Sequence, residues 1–374
     1  MLILLGALPI AIWAYLLLGR GWFWWISPFK LAVTAHNHAE RIAVVIPARD
    51  EAASMAQVVA SWDAQHYDGP LRIFIVDDHS SDGTADITRH AIGNSTRFQF
   101  LSAPEKPAHW TGKLWAVSRG IEAARQFAPD YFLFTDADIV HAPDTLRALI
   151  DRATRGGYDL VSLMVRLQCS TTAEKALIPA FVFFFFLLYP PRSKATGAAG
   201  AAGGCMLVRR AALERAGGIE SIRDALIDDC ALAAAIQRSG GRIWLAAAES
   251  SHSLRVYRTF GEIGRMISRT AFTELHYSML LLIATLLGLF VTYLLPVGLA
   301  VFAHGIPRAA GIAAWLGMSA AYAPTVRYYR ISPAWTLTLP AIALFYAGAT
   351  VHSAVRYWQG RGGEWKGRTL NNLV

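Results

Sequence analysis

Long apolar runs lie at the two ends of the chain, and shorter apolar segments alternate with polar ones between them. Residues 2–18 form an unbroken apolar run that is followed by Arg20, three tryptophans and Lys30. This length, with an aromatic belt and flanking cations, is typical of a helix that spans a bilayer. Three more apolar runs predict about three C-terminal membrane helices, at 279–303, 309–323 and 333–355.

The distribution of cations around these runs predicts an orientation. Cations after the first helix place the N-terminus outside and residue 30 onward in the cytoplasm. If all three C-terminal runs crossed, the basic tail 356–374 would end outside, against the charge rule. One run is therefore predicted to be re-entrant or broken, and the sequence does not select which. The candidate break points are Pro296, Pro324 and Pro340.

The region between the apolar ends alternates short buried-type strands with helices, which predicts an α/β domain with a mainly parallel sheet. Within it, a capping-box pattern at Thr171 and Glu174 opens a helix with four consecutive phenylalanines near 174–190. We expect this helix to lie in the membrane interface, and a buried core helix is the alternative. The predicted domains are 1–30 (N-terminal helix and juxtamembrane segment), 31–265 (soluble domain), 266–355 (C-terminal membrane helices) and 356–374 (basic tail).

Composition agrees with a membrane protein that carries a soluble domain. Of the 374 residues, 54% are hydrophobic and 17% are charged. The net charge of +8 suits loops that lie against anionic lipid. The cations are not gathered on one helix, which argues against nucleic acid as a partner. Three cysteines without metal-ligand spacing indicate reduced thiols.

Two carboxylates at the end of an apolar strand form the central candidate site. The run 131–134 is followed by Asp136 and Asp138, and alternate side chains of an extended backbone leave on one face. Two such carboxylates repel each other unless a cation lies between them, and oxygen ligands suit Mg²⁺ or Mn²⁺. We expect the ion to arrive with a diphosphate. An acidic turn without a ligand is the alternative.

Polar loops follow two other predicted strands, 42–46 and 71–76. In open α/β sheets ligands bind at the carboxyl ends of strands, and an acid there can accept hydrogen bonds from a ribose or a base. A cap-and-turn cluster without a ligand is the alternative. Neither strand is followed by a Gly-x-Gly-x-x-Gly loop, which argues against a dinucleotide fold. The candidate donor-binding residues here are Pro47, Arg49, Asp50, Glu51, Asp77 and Asp78.

Two further segments have features of a phosphate-binding site. Lys113 lies near a helix start, where it could neutralise phosphate, or it could be a solvated lysine. The glycine-rich segment 197–204 permits a ligand to approach the backbone, although a flexible connection is as consistent with it. Arg209 follows the strand after this segment and is a candidate donor-binding residue.

Asp228 and Asp229 open a predicted helix that ends at a glycine pair. An acid at a helix N-terminus is stabilised as the anion, which is the form a general base needs, and helix capping is the alternative. Arg265 lies on a predicted amphipathic helix, where it could bind a diphosphate or lipid headgroups.

Taken in order, these motifs resemble the family 2 glycosyltransferases, which have the GT-A fold. The matching segments are 46–51, 76–84, 136–138, the glycine loop with Arg209 and Arg210, and Asp228 with Asp229. More narrowly, the layout resembles the bacterial hopene-associated glycosyltransferases. The segments that carry this likeness are 110–116, the phenylalanine-rich stretch, the run from Arg265 and the tail at 365–368.

The resemblance implies a multi-pass enzyme of the bacterial inner membrane with a cytoplasmic catalytic domain. It would move a sugar from a nucleotide-sugar donor, a UDP-sugar, to a lipid hydroxyl such as that of a hopanoid, with Mg²⁺ or Mn²⁺ and inversion of configuration. Asp50 or Glu51 and Asp77 or Asp78 would hold the nucleoside. The remaining roles fall to Asp136 with Asp138 (ribose and metal-bound diphosphate), Asp229 (base), and Asp228 and Arg265 (catalysis).

One departure from the family pattern limits the product. Processive members carry Gln-x-x-Arg-Trp, whereas this chain has Glu262, Arg265 and Met266 at the matching positions. We therefore expect the transfer of one sugar or a few. Three alternatives stay open: a polyprenyl-phosphate acceptor with the same fold, a non-catalytic membrane protein that binds nucleotide sugars, and a membrane nucleotidyltransferase.

Overall fold

The computed structural model of the protein describes residues 2–31, 39–191 and 199–362, and these form two compact units. The sheet unit contains the described residues of Ser27–Gln168 and Ala199–Arg255. The apolar unit contains those of Met1–Ile26, Cys169–Ala198 and Val256–Glu364. The first two residues of the glycine-rich segment and the 365–368 tail lie outside the described residues.

A mixed, mostly parallel sheet of eight strands forms the centre of the sheet unit. The strands are β1 (Ile42–Ala48), β2 (Leu71–Asp77), β3 (Phe98–Ser102), β4 (Tyr131–Phe134), β5 (Ile139–His141), β6 (Leu160–Arg166), β7 (Met206–Arg209) and β8 (Ile243–Ser253). Their order across the sheet is β3-β2-β1-β4-β7-β6-β8-β5. β1, β2, β3 and β4 are parallel to one another, and β7 is antiparallel to both of its neighbours, β4 and β6. The predicted mainly parallel α/β fold is thus confirmed.

Burial on both faces explains why the central strands read as continuous apolar runs. All seven residues of β1 and all four of β4 are buried, as parallel strands covered by helices require. The flanking helices of this unit are α2 (Ala52–Asp63), α3 (Thr84–Ile92), α4 (Gly112–Ala123), α5 (Thr145–Gly156), α7 (Arg210–Arg215) and α8 (Asp228–Arg238).

Helix α4 lies unusually close to the sheet. A Cβ atom built on Gly120 would come within 3.3 Å of Val76 and closer still to Val45, so a glycine is needed where the helix crosses β1 and β2. The N-cap Thr111 accepts a hydrogen bond from the backbone N–H of Leu114 at 3.2 Å and fixes where α4 begins. The first turn of α4 is thereby held at the carboxyl edge of the sheet.

The apolar unit is helical. Its helices are α1 (Leu2–Leu18), α6 (Thr172–Leu188), α9 (Phe260–Ser268), α10 (Ala271–Glu274), α11 (Met279–Leu289), α12 (Leu295–Phe302), α13 (Gly305–Tyr328) and α14 (Leu339–Trp358). A π-helical turn, Phe290–Leu294, joins α11 to α12, and a 3-10 helix, Pro333–Thr338, precedes α14. The predicted break points Pro296 and Pro340 lie in the first turns of α12 and α14, whereas Pro324 lies inside α13.

The capping box predicted for the phenylalanine-rich helix is present at the start of α6. Thr171 Oγ1 accepts from the N–H of Glu174 at 3.1 Å, and the Glu174 carboxylate accepts from the N–H of Thr171 at 2.9 Å. The ring of Phe183 is buried and packs edge-on against Tyr322 of α13. Helix α6 is therefore packed inside the apolar unit.

Two helical stretches in the described part of the chain are long and apolar enough to cross a membrane, Met279–Phe302 and Pro333–Trp358. A shorter apolar helix, Leu5–Leu18, lies near the N-terminus. Large apolar side chains on these stretches are exposed, including Leu280 and Phe302. Such a surface suits contact with lipid better than contact with water.

Candidate active site

The loops after β1 and β2 are joined by hydrogen bonds into one surface. The N–H of Asp50 donates to Ser80 Oγ at 2.9 Å, and the N–H of Ser81 donates to Asp50 Oδ1 at 2.8 Å. The N–H of Glu51 donates to Thr84 Oγ1 at 2.8 Å. Asp50 has a φ of 50°, a left-handed conformation that non-glycine residues rarely adopt and that clusters at functional sites.

Three polar side chains lie beneath this surface. Arg49 reaches the fully buried Asp78, with Nη1 3.6 Å from Oδ2, and also donates to the backbone oxygen of Asp78. Asp77 Oδ2 accepts from the N–H of Ser80 at 3.2 Å. The other carboxylate oxygen of Asp77 is buried and has no hydrogen-bond partner among the described residues. An unsatisfied buried acceptor is costly, so this oxygen suits a ligand that brings an N–H or O–H donor.

Lys113 links the first acid of the Asp136-Ala137-Asp138 motif to helix α8. Its Nζ lies 2.8 Å from Asp136 Oδ1 and 3.0 Å from Asp228 Oδ2. Burial alone would lower the pKa of Lys113, but the nearby carboxylates outweigh burial and raise it well above its usual range. Lys113 is therefore a permanent ammonium ion, and we name it with Asp136 and Asp228 the lysine cluster.

Asp229 lies beside the lysine cluster in a different environment. Its Oδ2 accepts from the N–H of Gly203 and its Oδ1 from the N–H of Cys230, each at 2.8 Å. Burial, together with the charge of Asp228, raises the pKa of Asp229 to about 6, against the opposing effects of Lys113 and the two N–H groups. A carboxylate with this pKa is ionised at neutral pH and can still accept a proton, which is what a general base requires.

The glycine-rich segment passes close to Lys113 and Asp229. A Cβ atom built on Gly203 would lie 3.2 Å from Lys113 Nζ and 3.4 Å from Asp229 Oδ2. The missing side chain therefore lets the backbone N–H of Gly203 approach the carboxylate.

Asp138 faces another cation. Its Oδ2 accepts from Ser253 Oγ at 2.8 Å and from Arg255 Nε at 3.2 Å. The far end of the same guanidinium forms an ion pair with Glu51 Oε1. We name Arg255, Asp138 and Glu51 the arginine cluster.

A buried histidine supports the turn that carries the two acids. His141 Nε2 lies 3.0 Å from Thr135 Oγ1, which itself donates to the backbone oxygen of Gly204 at 2.8 Å. Nε2 must then carry the proton, and Nδ1 accepts from Ser251 Oγ at 2.9 Å. Burial lowers the pKa of His141 to about 3, so it is neutral. It holds the backbone and does not titrate near neutral pH.

Most of the predicted site residues meet at one edge of the sheet, because β1, β2 and β4 are parallel and end there. A pocket at this edge is lined by polar Lys113, Asp136 and Asp228 and by apolar side chains, with Pro47 and Gly203 completing the wall. The apolar lining residues are Leu114, Val117, Phe134, Met206, Ile219, Ile222 and Leu232, with Thr135 beside them.

Two predicted site residues, Arg209 and Arg265, are not among the side chains at this edge of the sheet unit. Arg209 pairs with Tyr131 at the start of β4, because β7 runs antiparallel, and its Nε lies 3.4 Å from Asp159 Oδ1. The structure therefore corrects the prediction that Arg209 binds the donor, since it lies at the opposite end of the strand. Arg265 lies on α9 in the apolar unit, with an exposed side chain, and its role stays a prediction.

Arg255 was not singled out as a site residue by the sequence analysis. It is 117 residues from Asp138 and 204 residues from Glu51, so no spacing rule could connect them. The single available signal was that two acids near one sheet edge need a counter-charge.

The donor set fits a hard divalent cation. The structure engages one oxygen of each acid, Oδ1 of Asp136 and Oδ2 of Asp138, so the second oxygen of each can face an ion. Among the described residues, no group of three His, Cys, Asp or Glu side chains could hold a metal alone. A pair of carboxylates is a common protein contribution to Mg²⁺ or Mn²⁺ sites in which substrate phosphates supply other ligands.

The fold has a counterpart among solved structures. A mannosyltransferase from Pyrobaculum calidifontis, solved with GDP-Man and Mn²⁺, superposes with a TM-score of 0.60 over 94% of this chain and 99% of that chain, at 18% identity. The sheet and its acidic edge are therefore those of a GT-A glycosyltransferase fold, as predicted.

The sequence has a counterpart among protein families. Residues 43–217, a little under half of the chain, match the family model for Glycosyl transferase family 2. Two relatives are described as N-acetylglucosaminyltransferases. That of Mesorhizobium japonicum is 32% identical over 110 residues, 29% of this chain and 24% of the relative. That of Rhizobium leguminosarum bv. viciae is 30% identical over 115 residues, 30% of this chain and 25% of the relative. The match thus spans about a quarter of either relative's length.

Proposed function

We propose that this protein is a membrane-bound inverting glycosyltransferase that moves one sugar from a nucleotide-sugar donor to a lipid hydroxyl. The observation that carries the proposal is Asp229, a half-buried carboxylate with a raised pKa, beside a lysine that also contacts the first acid of the Asp-Ala-Asp motif. The proposed base and the proposed diphosphate-binding lysine thus both lie beside Gly203.

The nucleoside is proposed to bind on the joined loops after β1 and β2. The buried, unpartnered oxygen of Asp77 offers an acceptor to a base N–H or a ribose hydroxyl, and Asp50 and Glu51 border the same surface. A UDP-sugar is the donor implied by the resemblance. The relatives' description as N-acetylglucosaminyltransferases makes UDP-N-acetylglucosamine the first donor to test, followed by GDP-mannose.

The diphosphate is proposed to bind between Asp136, Asp138 and Lys113. Mg²⁺ or Mn²⁺ held by the two aspartates would supply charge that stabilises the departing diphosphate. Lys113 provides a fixed ammonium for the same purpose, because its pKa keeps it protonated. The resemblance adds Arg265 as a further cation for the leaving group.

Asp229 is proposed to take the proton from the acceptor hydroxyl. The hydroxyl oxygen forms a bond to the anomeric carbon as the bond from that carbon to the diphosphate oxygen breaks. Attack from the face opposite the leaving group inverts the configuration. The freed nucleoside diphosphate carries away the bonding electron pair, and the proton stays on Asp229 until solvent removes it.

The acceptor is proposed to be a lipid alcohol. Exposed apolar side chains on α11, α12 and α13 support a location in a membrane, where such an acceptor is dissolved. The resemblance to hopene-associated enzymes suggests a hopanoid or another isoprenoid alcohol. Glu262 and Met266 replace the residues that hold a growing polymer in processive members, so one sugar is expected per acceptor.

The test is the turnover of membranes that contain the full chain, measured with radiolabelled donor and extracted lipid. Asp229→Asn should lower the turnover with a hydroxyl acceptor by about 10² to 10⁴, the usual contribution of a general base. Asp224→Asn is the matched control, since Asp224 is an exposed acid five positions earlier and should leave the rate unchanged. Full activity of Asp229→Asn would contradict a hydroxyl acceptor and favour a polyprenyl phosphate, whose oxygen is already ionised.

A further inference from the structure

The last apolar stretch, Pro333–Trp358, has the length of a membrane span, yet its contacts within the apolar unit indicate a hairpin. We infer that this stretch enters and leaves the bilayer on one face, so that the C-terminal tail shares the face of the segment that follows α1. The inference rests on the membrane location in the proposed function and concerns only how the chain is threaded.

Helices α1 and α13 run in the same direction. Gly6 lies against Pro307 and Ala310, and Leu17, the next-to-last residue of α1, lies against Gly317. The C-terminal end of α1 and the C-terminal end of α13 therefore point to one face of the unit. We name this the α1-exit face.

The stretch Met279–Phe302 runs in the opposite direction to α13. Only residues 303 and 304 separate it from α13, and Gly311 lies against the backbone of Pro296 and Ala300. Met279 therefore lies at the α1-exit face. Met279–Phe302 is long and apolar enough to cross the hydrocarbon core. Helix α13 also has 24 residues, a length of about 36 Å that matches it, with a less apolar sequence.

After α13 ends at the α1-exit face, the chain turns back into the unit. Trp315 Nε1 donates to the backbone oxygen of Leu337 at 3.3 Å, so these two residues lie at one depth. Trp315 is 13 residues before Tyr328, which places Leu337 about 20 Å back along α13 from the C-terminal end of that helix. It is also 10 residues after Gly305, so the turn stops about 15 Å short of the opposite end.

Helix α14 then returns to the α1-exit face. Ala354 packs with Leu282 and Phe272, and the ring of Tyr357 stacks on Tyr277 at 4.3 Å. Leu282 belongs to the first turn of α11, and Tyr277 precedes that helix by two residues. The end of α14 therefore lies beside the start of α11. From Leu339 to Ala354 the helix rises about 22 Å. This matches the distance that the chain covers from Tyr328 back to Leu337, a segment that we name the inward arm.

Side chains of the inward arm also form hydrogen bonds with its own backbone carbonyls, which a segment at membrane depth requires. It ends in a 3-10 helix in which Thr336 Oγ1 donates to the carbonyl of Pro333 and Thr338 Oγ1 to that of Trp335, each at 2.8 Å. The indole N–H of Trp315 donates a hydrogen bond to the carbonyl of Leu337. Hydroxyl groups at these positions are unusual in a lipid-facing span and are explained by the turn.

The distribution of charge agrees with this threading. Arg327, Arg330 and Arg356 lie at the ends of α13 and α14 on the α1-exit face, where Arg20 follows α1. The opposite end carries Arg308 near the start of α13. Cytoplasmic loops are enriched in Lys and Arg, so the α1-exit face is the cytoplasmic one. The hairpin resolves the conflict that three full crossings would create for the basic tail.

The experiment measures which face carries single cysteines in the full chain. Cys169, Cys205 and Cys230 are replaced by serine or alanine, and exposed Gln57, His304 or Gln359 is changed to cysteine. Intact spheroplasts and inverted vesicles are treated with a membrane-impermeant maleimide. We expect Gln57→Cys and Gln359→Cys to react in inverted vesicles and His304→Cys to react in spheroplasts.

Reaction of Gln359→Cys together with His304→Cys would overturn the hairpin and leave the proposed transferase intact. Recovery of the protein in the soluble fraction would overturn the hairpin and the membrane location together. If the cysteine-free chain does not fold, protease digestion of a C-terminal epitope tag on the otherwise unaltered chain gives the same answer. Loss of the tag in inverted vesicles supports the hairpin, and loss in spheroplasts contradicts it.

Discussion

The lysine cluster and the arginine cluster lie on the two acids of one tripeptide, and they differ in the cation and in what that cation reaches. Lys113 is a compact ammonium that joins Asp136 to Asp228 on α8. Arg255 has a planar guanidinium with several N–H donors, and this group joins Asp138 to Glu51 on the loop after β1. Two aspartates only two positions apart are thus connected to different parts of the domain.

This difference separates two roles within the site. The lysine cluster touches the helix that carries Asp229, so a change there should affect the chemical step. The arginine cluster orients one proposed metal ligand and one nucleoside-loop acid, so a change there should affect binding of metal and donor. If both clusters served only to neutralise acid charge, equivalent substitutions in the two would have equivalent effects.

The largest expected effect comes from Lys113→Met. It removes a fixed positive charge from the proposed diphosphate site, and we expect turnover to fall by about 10² to 10³, as for loss of one preorganised stabilising group. The measurement is sugar transfer at saturating donor and Mn²⁺. Lys106→Met is the control, because Lys106 lies outside the cluster and bonds the neighbouring carbonyl of Pro107. A Lys113→Met protein with unaltered turnover would show that the ammonium has only a structural role.

A smaller effect is expected from Arg255→Gln. Among the side chains that the structure describes, this variant leaves Ser253 as the hydrogen-bond donor to the carboxylate of Asp138. Groups that orient a metal ligand typically contribute 10- to 100-fold to metal affinity. We expect the Mn²⁺ concentration for half-maximal activity to rise by about that factor, with a smaller change in maximal turnover. Arg89→Gln, which removes an exposed pair with Asp86 on α3, should change neither quantity. A fall in turnover at saturating Mn²⁺ as large as that of Lys113→Met would contradict the separation of roles.

The smallest effect is a shift in pH dependence. Asp229 must be ionised to act as a base, so activity should be half-maximal near pH 6, constant well above it and fall about tenfold per pH unit well below it. Lys113 lowers the pKa of Asp229, so Lys113→Met should move the midpoint to higher pH, whereas Arg255→Gln should leave it in place. The measurement is the rate against pH for the three proteins. Equal midpoints in all three would show that Lys113 does not act on the base.

The stability of the folded protein should also depend on the ionisation of Asp229, and the pKa shift sets the direction of that dependence. Folding raises the pKa of Asp229 from 3.8 to about 6, so between these values the folded state holds a proton that the unfolded state has lost. The contribution of Asp229 to stability therefore falls as pH rises through this window and is constant above it. Asp229→Asn should remove that part of the pH dependence.

Several features could be predicted because they depend on neighbouring residues. The capping box at Thr171 and Glu174 is encoded within four residues, and α6 begins there. The buried strands β1 and β4 are continuous apolar runs whose length and flanking turns identify them. The gathering of acids at one sheet edge follows from parallel strands, since their carboxyl ends must share an edge.

Other features could not be predicted, because they depend on strand direction and on distant partners. Arg209 was a candidate because it follows the strand after the glycine-rich segment, and the antiparallel register of that strand with β4 puts Arg209 at the other end of the sheet. The apolar stretch that does not cross could not be chosen from composition. Pro333–Trp358 is apolar enough for a span, and its return is visible only through contacts of Trp315 and Tyr277.

The sequence by itself indicated the likeness to family 2, the mainly parallel sheet and the acids proposed to hold a metal and a sugar donor, because these depend on local periodicity and on motifs a few residues long. Only the tertiary structure decided which cation meets which acid, that Asp229 has a raised pKa, and that the last apolar stretch turns back. The physical reason is that charge pairing, burial and helix direction depend on residues from different secondary-structure elements, separated by about 20 to more than 200 positions, and no short sequence pattern encodes those contacts.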